Sequence, residues 1–525
     1  MINMKILQNR DSFLKTQVLI IGGGVTGTGL ARDLGLRGIS SILVEKQDIN
    51  AGASGGNHGL LHSGARYAAS DSEAAAECRE EGELLKKLAP QCIEDTGGLF
   101  VAVKGDNENY TADFPGMCEK SGIKADFIDI AEVLEMEPLL SPDIIAAYQV
   151  SDASIDPFML SLDNISHARD LGAVLMRYTK LESFNIENKK IKTALVRNTV
   201  TGQETIIEPE QVVSAAGAWA GIVAGLAGIK LDLVCSMGTL LVTQSRLAKK
   251  VINRLRKASD ADILVPGGTV SILGTTSVRI DDPDKCRPTI PETDYIIEQG
   301  AAMIPALETT QYIRAYSGVR PLTGSSSGDD RNVSRGFALI DHAKDRVENL
   351  TTISGGKLTT FRLMAEKTAD LICRKMGISK TCTTRTVPLP GSKEGRWTAP
   401  GLAPRMWMTG HKSDDIILCE CEMVSKGIID NIIKSCRQQG EVPTLKTVGI
   451  RSRIGKGPCQ GGFCSARIAA HMYDREEFSG KKGLNELREF LNERWRGKHP
   501  VLWGLPLEQA ELQEALHCGF FGLEL

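Results

Sequence analysis

The chain has 525 residues, 42% of them hydrophobic, which is enough for two or three domains with sizeable cores. Its 62 basic and 65 acidic residues nearly balance, so composition gives no indication of nucleic-acid binding. The first fifteen residues lack the apolar segment of a signal peptide, and no apolar run is long enough to cross a bilayer. We therefore expect a cytoplasmic protein, and peripheral membrane attachment stays open.

The first predicted elements form a strand, turn, helix and strand near the N-terminus. An apolar run leads into a glycine turn, and a second apolar run over Ser41–Val44 ends at Glu45. In such a unit Gly22 permits the tight turn, Gly24 lets the backbone approach a pyrophosphate, and Gly27 allows the helix to pack closely on the strand. Glu45 would accept hydrogen bonds from ribose hydroxyls. The unit predicts an adenine-dinucleotide site but does not separate NAD from FAD.

From Phe13 to about Cys373 the sequence alternates short apolar runs with helical patterns. This alternation predicts an α/β domain with an inserted sheet. The predicted strands include Leu99–Val103, Gln211–Gly217, Gly238–Thr243 and Val270–Gly274. Prolines and glycines collect between Thr386 and Ser413, which predicts a linker followed by a separate C-terminal module.

The thirteen cysteines divide into two groups. Those of the first three quarters are thinly spread, as expected of reduced thiols in a cytoplasmic protein. In the C-terminal module four form two close pairs, Cys419 with Cys421 and Cys459 with Cys464. Thiolate pairs of this kind bind iron–sulfur centres or zinc, although Cys-x-Cys is an unusual zinc spacing. The pairs therefore predict a metal site, and the choice between cluster and zinc stays open.

Three segments after the glycine turn carry a resemblance to a known family. They are Gly52–Tyr67 (GASGGNHGLLHSGARY), Tyr316–Leu322 (YSGVRPL) and Ser354–Arg362 (SGGKLTTFR). In this order they resemble the FAD-dependent glycerol-3-phosphate dehydrogenases, and with the cysteine-bearing module they resemble the catalytic A subunits of the anaerobic branch. The resemblance covers essentially the whole chain. One departure is Gly56, where an arginine is expected in that branch.

The resemblance implies FAD as the cofactor. The loop over 52–59 would wrap the flavin with backbone N–H groups, Val212–Trp219 would pass beneath it, and Ile353–Lys357 would present a helix N-terminus to its edge. The expected FAD-binding residues are Gly22, Gly24, Gly27, Glu45, Ser54, Asn57, Gly59, Leu60, Ala216, Gly217, Gly355, Gly356, Lys357, Leu358 and Thr359.

The reaction implied is oxidation of sn-glycerol 3-phosphate to dihydroxyacetone phosphate by hydride transfer to FAD. The expected substrate-binding residues are Arg66, Tyr67, Arg320 and Lys357. A guanidinium suits this role because its planar fork matches phosphate oxygens. The expected catalytic residues are His62 as the base, His58 as the second choice, and Arg320, which could stabilise an alkoxide. A histidine that only packs against the flavin is an alternative of equal weight.

For the C-terminal module the resemblance implies a [2Fe–2S] domain like that of bacterioferritin-associated ferredoxin, bound by Cys419, Cys421, Cys459 and Cys464. That domain type usually spaces its second pair Cys-x-x-Cys, whereas four residues intervene here. A cluster beside a flavin could pass electrons singly to the family's B and C subunits and the quinone pool of anaerobic respiration. The chain would then lie on the inner face of the membrane, and FMN in the assembly stays open.

The expected architecture is a Rossmann-like FAD-binding domain with an inserted antiparallel-sheet substrate domain and a small C-terminal cysteine-rich iron–sulfur domain. The expected boundaries are an oxidoreductase domain over 14–385 (FAD-binding parts 14–85, 150–230 and 335–375; substrate parts 86–149 and 231–334), a linker over 386–412, an iron–sulfur domain over 413–470 and a helical tail over 471–525. The tail has helical spacing over Leu484–Leu491 and would serve core packing or a contact with a subunit or membrane.

Two other functions fit the sequence motifs. One is an FAD-dependent dehydrogenase or oxidase of a 2-hydroxy acid, such as L-2-hydroxyglutarate, or of an amino acid. The other is a redox-sensing or iron–sulfur carrier protein whose dinucleotide domain is structural.

Overall fold

The computed structural model describes residues 12–323, 336–394, 409–438 and 440–524. Its strands are β1 Ser12–Ile21, β2 Ser41–Val44, β3 Leu60–Leu61, β4 Ile93–Glu94, β5 Gly98–Val103, β6 Asp126–Ile128, β7 Ile144–Val150, β8 Ala153–Ile155, β9 Val174–Met176, β10 Thr179–Glu187, β11 Lys190–Asn198, β12 Glu204–Ser214, β13 Leu233–Thr243, β14 Val251–Arg254, β15 Ile263–Gly267, β16 Val270–Gly274, β17 Val278–Ile280, β18 Tyr312–Thr323, β19 Phe337–Asp341, β20 Leu350–Gly355, β21 Ile417–Cys419 and β22 Val424–Ser425. Its helices are α1 Val25–Leu36, α2 Ser72–Leu88, α3 Glu108–Lys120, α4 Ile130–Met136, α5 Pro157–Asp170, α6 Ala220–Gly225, α7 Ile290–Ala301, α8 Phe361–Met376, α9 Lys426–Gln438, α10 Leu445–Ser452, α11 Cys464–Asp474, α12 Lys482–Lys498 and α13 Gly504–Phe521.

The first sheet is built on the N-terminal βαβ unit that the sequence predicts. Strands β20, β12, β1, β2 and β9 run parallel in that order, with the β10–β11 hairpin and β19 added antiparallel. Helices α1, α5 and α8 pack together on this part of the fold. Because both faces of β1 are covered, Val18, Leu19 and Ile20 are fully buried, and the strand reads as a continuous apolar run.

The second sheet is the predicted insertion, formed by the two chain segments between elements of the first sheet. Its order is β17-β13-β16-β15-β14-β5-β7-β6, with β18 paired to β13. The expectation of an antiparallel sheet holds for these pairs except β5 with β14, which is parallel. These two strands come from separate insertions, so no hairpin forces them to be antiparallel. The four predicted strands are confirmed, although the run at 211–217 ends as a strand at Ser214.

The C-terminal module joins the small β21–β22 sheet to helices α9 to α12 around one apolar core. The helical spacing predicted for the tail is confirmed by α12, whose Leu487 and Phe490 bury in the same core as Cys419 and Cys464. Beyond α12, Val501 packs into the core of the second sheet. Among the described helices, no stretch is both apolar and long enough to cross a bilayer. Of the predicted linker, residues 395–408 lie outside the described residues.

Candidate functional site

A cavity of about 580 Å³ opens where the carboxyl ends of β1 and β2 face the second sheet. Its wall also includes the loop that follows β2, residues of β18, and the turn between β20 and α8. The carboxyl edge of a parallel sheet is where such folds bind ligands, and the volume suits a large organic molecule.

The glycine turn forms one end of this cavity. Gly22 has a φ of +115°, and a Cβ there would lie 2.5 Å from the carbonyl oxygen of Ala215, so only glycine fits. Gly24 is the N-cap of α1, and the Val25 N–H donates to Oγ of Ser54 at 3.0 Å. Ser54 therefore ties the loop after β2 to the start of α1. Gly27 lies behind the cavity wall, with its Cα against the Gly22 carbonyl.

Glu45 is held at the end of β2 by backbone donors. Its Oε2 accepts from the Gly23 N–H at 2.7 Å and its Oε1 from the Gln47 N–H at 2.8 Å. Burial raises the pKa of this carboxyl above its ordinary value. Because each carboxylate oxygen has a second lone pair, Glu45 can still accept from a ligand hydroxyl in the cavity.

The loop over 52–59 is organised by the Asn57 side chain. Its Nδ2 donates to the carbonyl oxygens of Ala53 and Ser54, at 3.0 and 2.8 Å, and its Oδ1 accepts from the Gly59 N–H at 2.8 Å. The Tyr316 hydroxyl of β18 donates to the Asn57 carbonyl at 2.7 Å. The Asn57 amide therefore stabilises the loop by hydrogen bonds within it. Contact of Asn57 with a cofactor is left to the part of the residue that lines the cavity.

The departure at position 56 has a structural consequence. The Gly56 backbone lies directly on the Gly318 backbone of β18, and a Cβ at Gly56 would be 2.8 Å from the Gly318 Cα and 3.2 Å from the Ser317 carbonyl oxygen. A side chain at position 56 therefore requires the loop to move away from β18. The arginine expected from the resemblance does not fit this arrangement.

Arg66 enters the cavity from the short turn after β3 and is held by a buried carboxylate. Its Nη2 lies 3.1 Å from Oδ2 of Asp262 and donates to the Ser259 carbonyl at 3.0 Å. Asp262 also receives Nε of Arg256 at 3.0 Å. The guanidinium is thus fixed in place and partly neutralised, while it still lines the cavity.

Arg320 reaches the cavity from β18, across the face of β13. Its guanidinium lies over Gly238, where a Cβ would be 2.8 Å from the Arg320 Cζ. Nη1 donates to the Thr276 carbonyl at 3.2 Å, and Nη2 donates to the Thr275 hydroxyl. These neutral acceptors orient the fork without cancelling its charge.

Lys357 and Tyr67 also line the cavity and contact each other. The Lys357 ammonium lies 4.5 Å from the centroid of the Tyr67 ring, a cation–π contact. The expected helix N-terminus lies further on, because β20 ends at Gly355 and α8 begins only at Phe361, after a turn in which the Lys357 N–H donates to the Thr360 hydroxyl at 3.2 Å.

The two candidate histidines differ sharply in environment. His62 has its ring 5.2 Å from that of Tyr67, with Nε2 3.4 Å from the Tyr67 hydroxyl, and its backbone N–H donates to the Thr359 hydroxyl at 3.1 Å. His58 lines the cavity with a buried Nδ1 that has no hydrogen-bond partner among the described residues. Burial, helped by Arg320 and Arg66, lowers the pKa of His58 to about 3, so its imidazole is neutral near pH 7.

Most of the predicted site residues meet in this one cavity. Its lining includes Gly22, Gly24, Glu45, Ser54, Asn57, His58, Leu60, His62, Arg66, Tyr67, Ala216, Gly217, Arg320, Gly355, Gly356, Lys357 and Leu358. Gly27, Gly59 and Thr359 lie behind the wall and support it. Sequence reasoning missed Asp262 and Thr275, which hold the two arginines. Trp219, at the end of the segment expected beneath the flavin, lines the cavity and has the Lys46 ammonium 4.1 Å from its ring.

The four paired cysteines also meet, some distance from each other in sequence. The Cys464 thiol hydrogen-bonds to the sulfurs of Cys419 and Cys459, and Cys459 hydrogen-bonds to Cys421. These contacts lower the pKa of Cys459 to about 5 and lower that of Cys419, and they raise that of Cys464. Across the described part of the chain, no three His, Cys, Asp or Glu side chains are grouped so as to bind one metal ion.

Backbone N–H groups point at these sulfurs. The N–H groups of Gly461 and Phe463 donate to Cys459, that of Glu422 to Cys419 and that of Cys459 to Cys421. Such donors stabilise thiolates and tune the potential of sulfur-bound centres.

Comparison with known proteins agrees with this fold. Residues 17–371 match the FAD dependent oxidoreductase family. The chain is 40% identical to the A subunit of the anaerobic glycerol-3-phosphate dehydrogenase of Escherichia coli (strain K12), over 99% of each chain. It is 36% identical to the A1 subunit of the anaerobic glycerol-3-phosphate dehydrogenase of Haloferax volcanii, over 95% of this chain and 90% of that one.

Among solved structures, the glycerol-3-phosphate dehydrogenase of Bacillus halodurans complexed with FAD shares the fold, with a TM-score of 0.64, 21% identity, and coverage of 93% of this chain and 96% of that one. The fold, the matched family and the identity over nearly the whole length agree. The chain therefore belongs to the FAD-dependent oxidoreductases, and within them to the family of anaerobic glycerol-3-phosphate dehydrogenase A subunits.

Proposed function

We propose that this protein is an FAD-dependent dehydrogenase of sn-glycerol 3-phosphate that releases dihydroxyacetone phosphate. The observation that carries the proposal is the convergence of Arg66, Arg320 and Lys357 on the cavity that the glycine turn closes at its other end. Three cations suit a phosphate dianion, whereas a single arginine is enough for one carboxylate. The names of the relatives support the same substrate.

The cavity residues divide into a cofactor part and a substrate part. The α1 N-terminus and Glu45 suit the pyrophosphate and ribose of FAD, and the loop over 52–59 suits its flavin. When bound, FAD supplies the acceptor for the hydride that leaves C2 of the substrate. Arg320 and Lys357 bind and orient the phosphate end, which places C2 for transfer.

His62 is the residue proposed to accept the hydroxyl proton. It lines the cavity beside Tyr67, whose ring also contacts the Lys357 ammonium. His58 is a poor base because its depressed pKa means that its nitrogen holds a proton weakly. His58 is suited instead to accept a hydrogen bond at Nδ1 from a bound ligand, since that atom has no partner among the described residues.

Anaerobic spectroscopy tests the proposal directly. The purified, FAD-loaded protein should lose its flavin absorbance on addition of sn-glycerol 3-phosphate and keep it on addition of L-2-hydroxyglutarate or an amino acid. Steady-state rates with an artificial acceptor should show the same order. Faster reduction by the 2-hydroxy acid would overturn the proposal in favour of the alternative enzyme class.

We also propose that Cys419, Cys421, Cys459 and Cys464 bind a [2Fe–2S] cluster. Four thiols in contact, with backbone N–H groups aimed at their sulfurs, suit a thiolate-bound cluster, and the resemblance of the module to ferredoxin-like domains favours [2Fe–2S]. Such a centre supplies one-electron transfer, which gives the two electrons of each turnover a way out other than oxygen. The Cys459–Cys464 loop accommodates its longer spacing by a turn at Gly461, with a φ of +89°.

The cluster would pass electrons to B and C subunits and on to the quinone pool, with the chain held on the inner face of the membrane through those subunits. The relatives are themselves named as subunits, which supports partners of this kind. Whether FMN belongs to the assembly is decided by flavin analysis of the purified complex.

Metal and sulfide analysis of anaerobically purified protein tests the cluster. The expected result is about two irons and two sulfides per chain by the stoichiometry of the centre. Cys459→Ser should remove both, while Cys518→Ser, a change outside the four, should retain them. One zinc per chain with no sulfide would overturn the proposal.

A further inference from the structure

The last helix, α13, exposes four large apolar side chains. Among the described residues, the exposed fractions are 63% for Leu505, 62% for Leu512, 48% for Leu516 and 80% for Phe520. Their spacing of seven, four and four residues places them along one side of the helix. We call these four residues the α13 stripe.

The inward side of α13 carries polar and apolar residues, and Phe521 packs against the core of the C-terminal module. Gln513 lies against Gly462 and within 3.5 Å of the Lys498 ammonium, and Nε2 of His517 donates to the Gly462 carbonyl at 3.2 Å. A surface helix normally buries its apolar side and exposes its polar side. On α13 four large apolar side chains are instead left uncovered by the described residues, and an apolar patch of this kind is typical of an interaction surface.

The stripe lies just outside the cysteine loop. Gly462, which α13 contacts, is between Cys459 and Cys464 in the chain, and the neighbouring Phe463 is itself exposed. A helix with its side chains is about 10 Å across, so a molecule seated on the stripe would lie about one helix diameter from that loop.

The charge of α13 selects the kind of partner. The helix carries Glu508, Glu511 and Glu514 and has no lysine or arginine. Helices that bind anionic bilayers carry lysine and arginine on their polar side, so α13 is ill-suited to a lipid surface. Its apolar stripe and acidic margin instead complement a protein groove lined by apolar residues and bordered by lysine and arginine.

We propose that the α13 stripe is the docking surface for the protein that accepts this chain's electrons, a flavin or iron–sulfur protein with such a groove. The inference rests on the proposed role of the four cysteines as the electron exit. The docked protein takes the two electrons released per glycerol 3-phosphate one at a time and is reduced by them, while the protons pass to solvent.

The first test is site-specific photocrosslinking. The crosslinking amino acid p-benzoylphenylalanine replaces Leu512 in the full chain, in the cell that produces it. The expected adduct is one protein, which is then purified and mixed anaerobically with the holoenzyme and glycerol 3-phosphate. The Leu512→Glu/Leu516→Glu variant should reduce this partner protein at least tenfold more slowly than the unmodified enzyme does. The variant should oxidise glycerol 3-phosphate at an unchanged rate when a soluble dye is the acceptor.

The matched control is Val200→Glu, which changes an apolar residue of 74% exposure on the β11–β12 turn and should alter neither rate. Adducts with lipid or with a second copy of the chain would overturn the proposal, as would an adduct protein that the enzyme does not reduce. A lower melting temperature of the double variant alone would show that the chain's own residues cover the stripe, and would also overturn it. If the unmodified enzyme does not oxidise glycerol 3-phosphate with the dye, that result would instead count against the proposed function.

Discussion

Arg320 is held at the cavity by contacts with β13 and with the turn after β16. Its hydrogen bonds include those to the Thr275 hydroxyl and the Thr276 carbonyl. Gly238 is what allows the guanidinium to lie on β13. A guanidinium fixed in this way on the cavity wall is suited to binding of the phosphate dianion.

The first prediction concerns this guanidinium. Arg320→Met should raise KM for glycerol 3-phosphate about 100-fold, because a charge-assisted hydrogen bond lost from a site of this kind costs up to about 3 kcal/mol. Dye-linked steady-state kinetics measure it. Arg197→Met, at a position about half exposed on β11, is the control and should leave KM unchanged. An unchanged KM in the Arg320 variant would show that the substrate phosphate is bound elsewhere.

The second prediction concerns His58 and pH. The folded protein holds this imidazole neutral down to about pH 3, whereas in the unfolded chain it protonates near its ordinary pKa. Between these two values the unfolded state binds one more proton, so its contribution to stability is present at pH 7 and is lost as pH falls.

The cofactor-free protein should therefore lose about 1 kcal/mol more stability between pH 7 and 5.5 than its His58→Gln variant does, by the same linkage. Urea titrations at the two pH values measure the difference. His411→Gln, at an exposed position, is the control and should behave like the unmodified protein. Parallel pH dependence in the His58 variant would contradict the buried neutral state.

At the scale of elements, the contact between the loop over 52–59 and β18 joins the two sheets across the cavity. Gly56 and Gly318 touch backbone to backbone, and the Tyr316 hydroxyl bonds to the Asn57 carbonyl at 2.7 Å. The loop that should enclose the flavin is thus seated on the strand that carries Arg320. Cofactor binding and substrate binding should depend on this one contact.

The third prediction follows from that contact. Gly56→Ala should weaken FAD binding about tenfold, since forcing a methyl group into a filled site costs roughly 1–3 kcal/mol. Titration of the apoprotein by FAD fluorescence quenching measures the dissociation constant. Gly116→Ala, where a Cβ meets nothing within 4 Å, is the control and should bind FAD normally. Normal binding by the Gly56 variant would mean that the loop shifts freely.

Local patterns let the sequence predict some elements completely and others only in part. The β1–α1–β2 unit was predictable because its strands are apolar on both faces and its turn demands Gly22. The pairing of Arg66 with Asp262 was not, because these residues are 196 positions apart. The exposure of the α13 stripe was not predictable either, since a helical pattern does not say which side chains meet the protein.

At the scale of the whole molecule, a buried network of charges joins the FAD-binding part to the C-terminal module. Arg177, just after β9, lies with Nη1 2.6 Å from Oδ2 of Asp48 and Nη2 2.7 Å from Oε2 of Glu441. Nη1 also donates to the Thr447 hydroxyl of α10 at 3.1 Å. Arg453 makes a second bridge, from Glu422 at 2.8 Å to Asp156 at 2.9 Å. These two buried ion-pair groups help to fasten the module, and sequence spacing indicates neither of them.

The last prediction concerns the attachment of the module. Arg177→Met should weaken the attachment of the module by about 3 kcal/mol of free energy. The reason is that the buried Asp48 carboxylate is left with a more distant cation, Arg451 at 3.5 Å. Hydrogen exchange of α10 should then quicken about 100-fold, while exchange of β1, in the core of the first sheet, should not change. Arg197→Met again provides the control. Equal acceleration in α10 and β1 would mean that the two parts unfold as one unit, and no change would mean that the other contacts, Arg453 among them, are enough to hold the module.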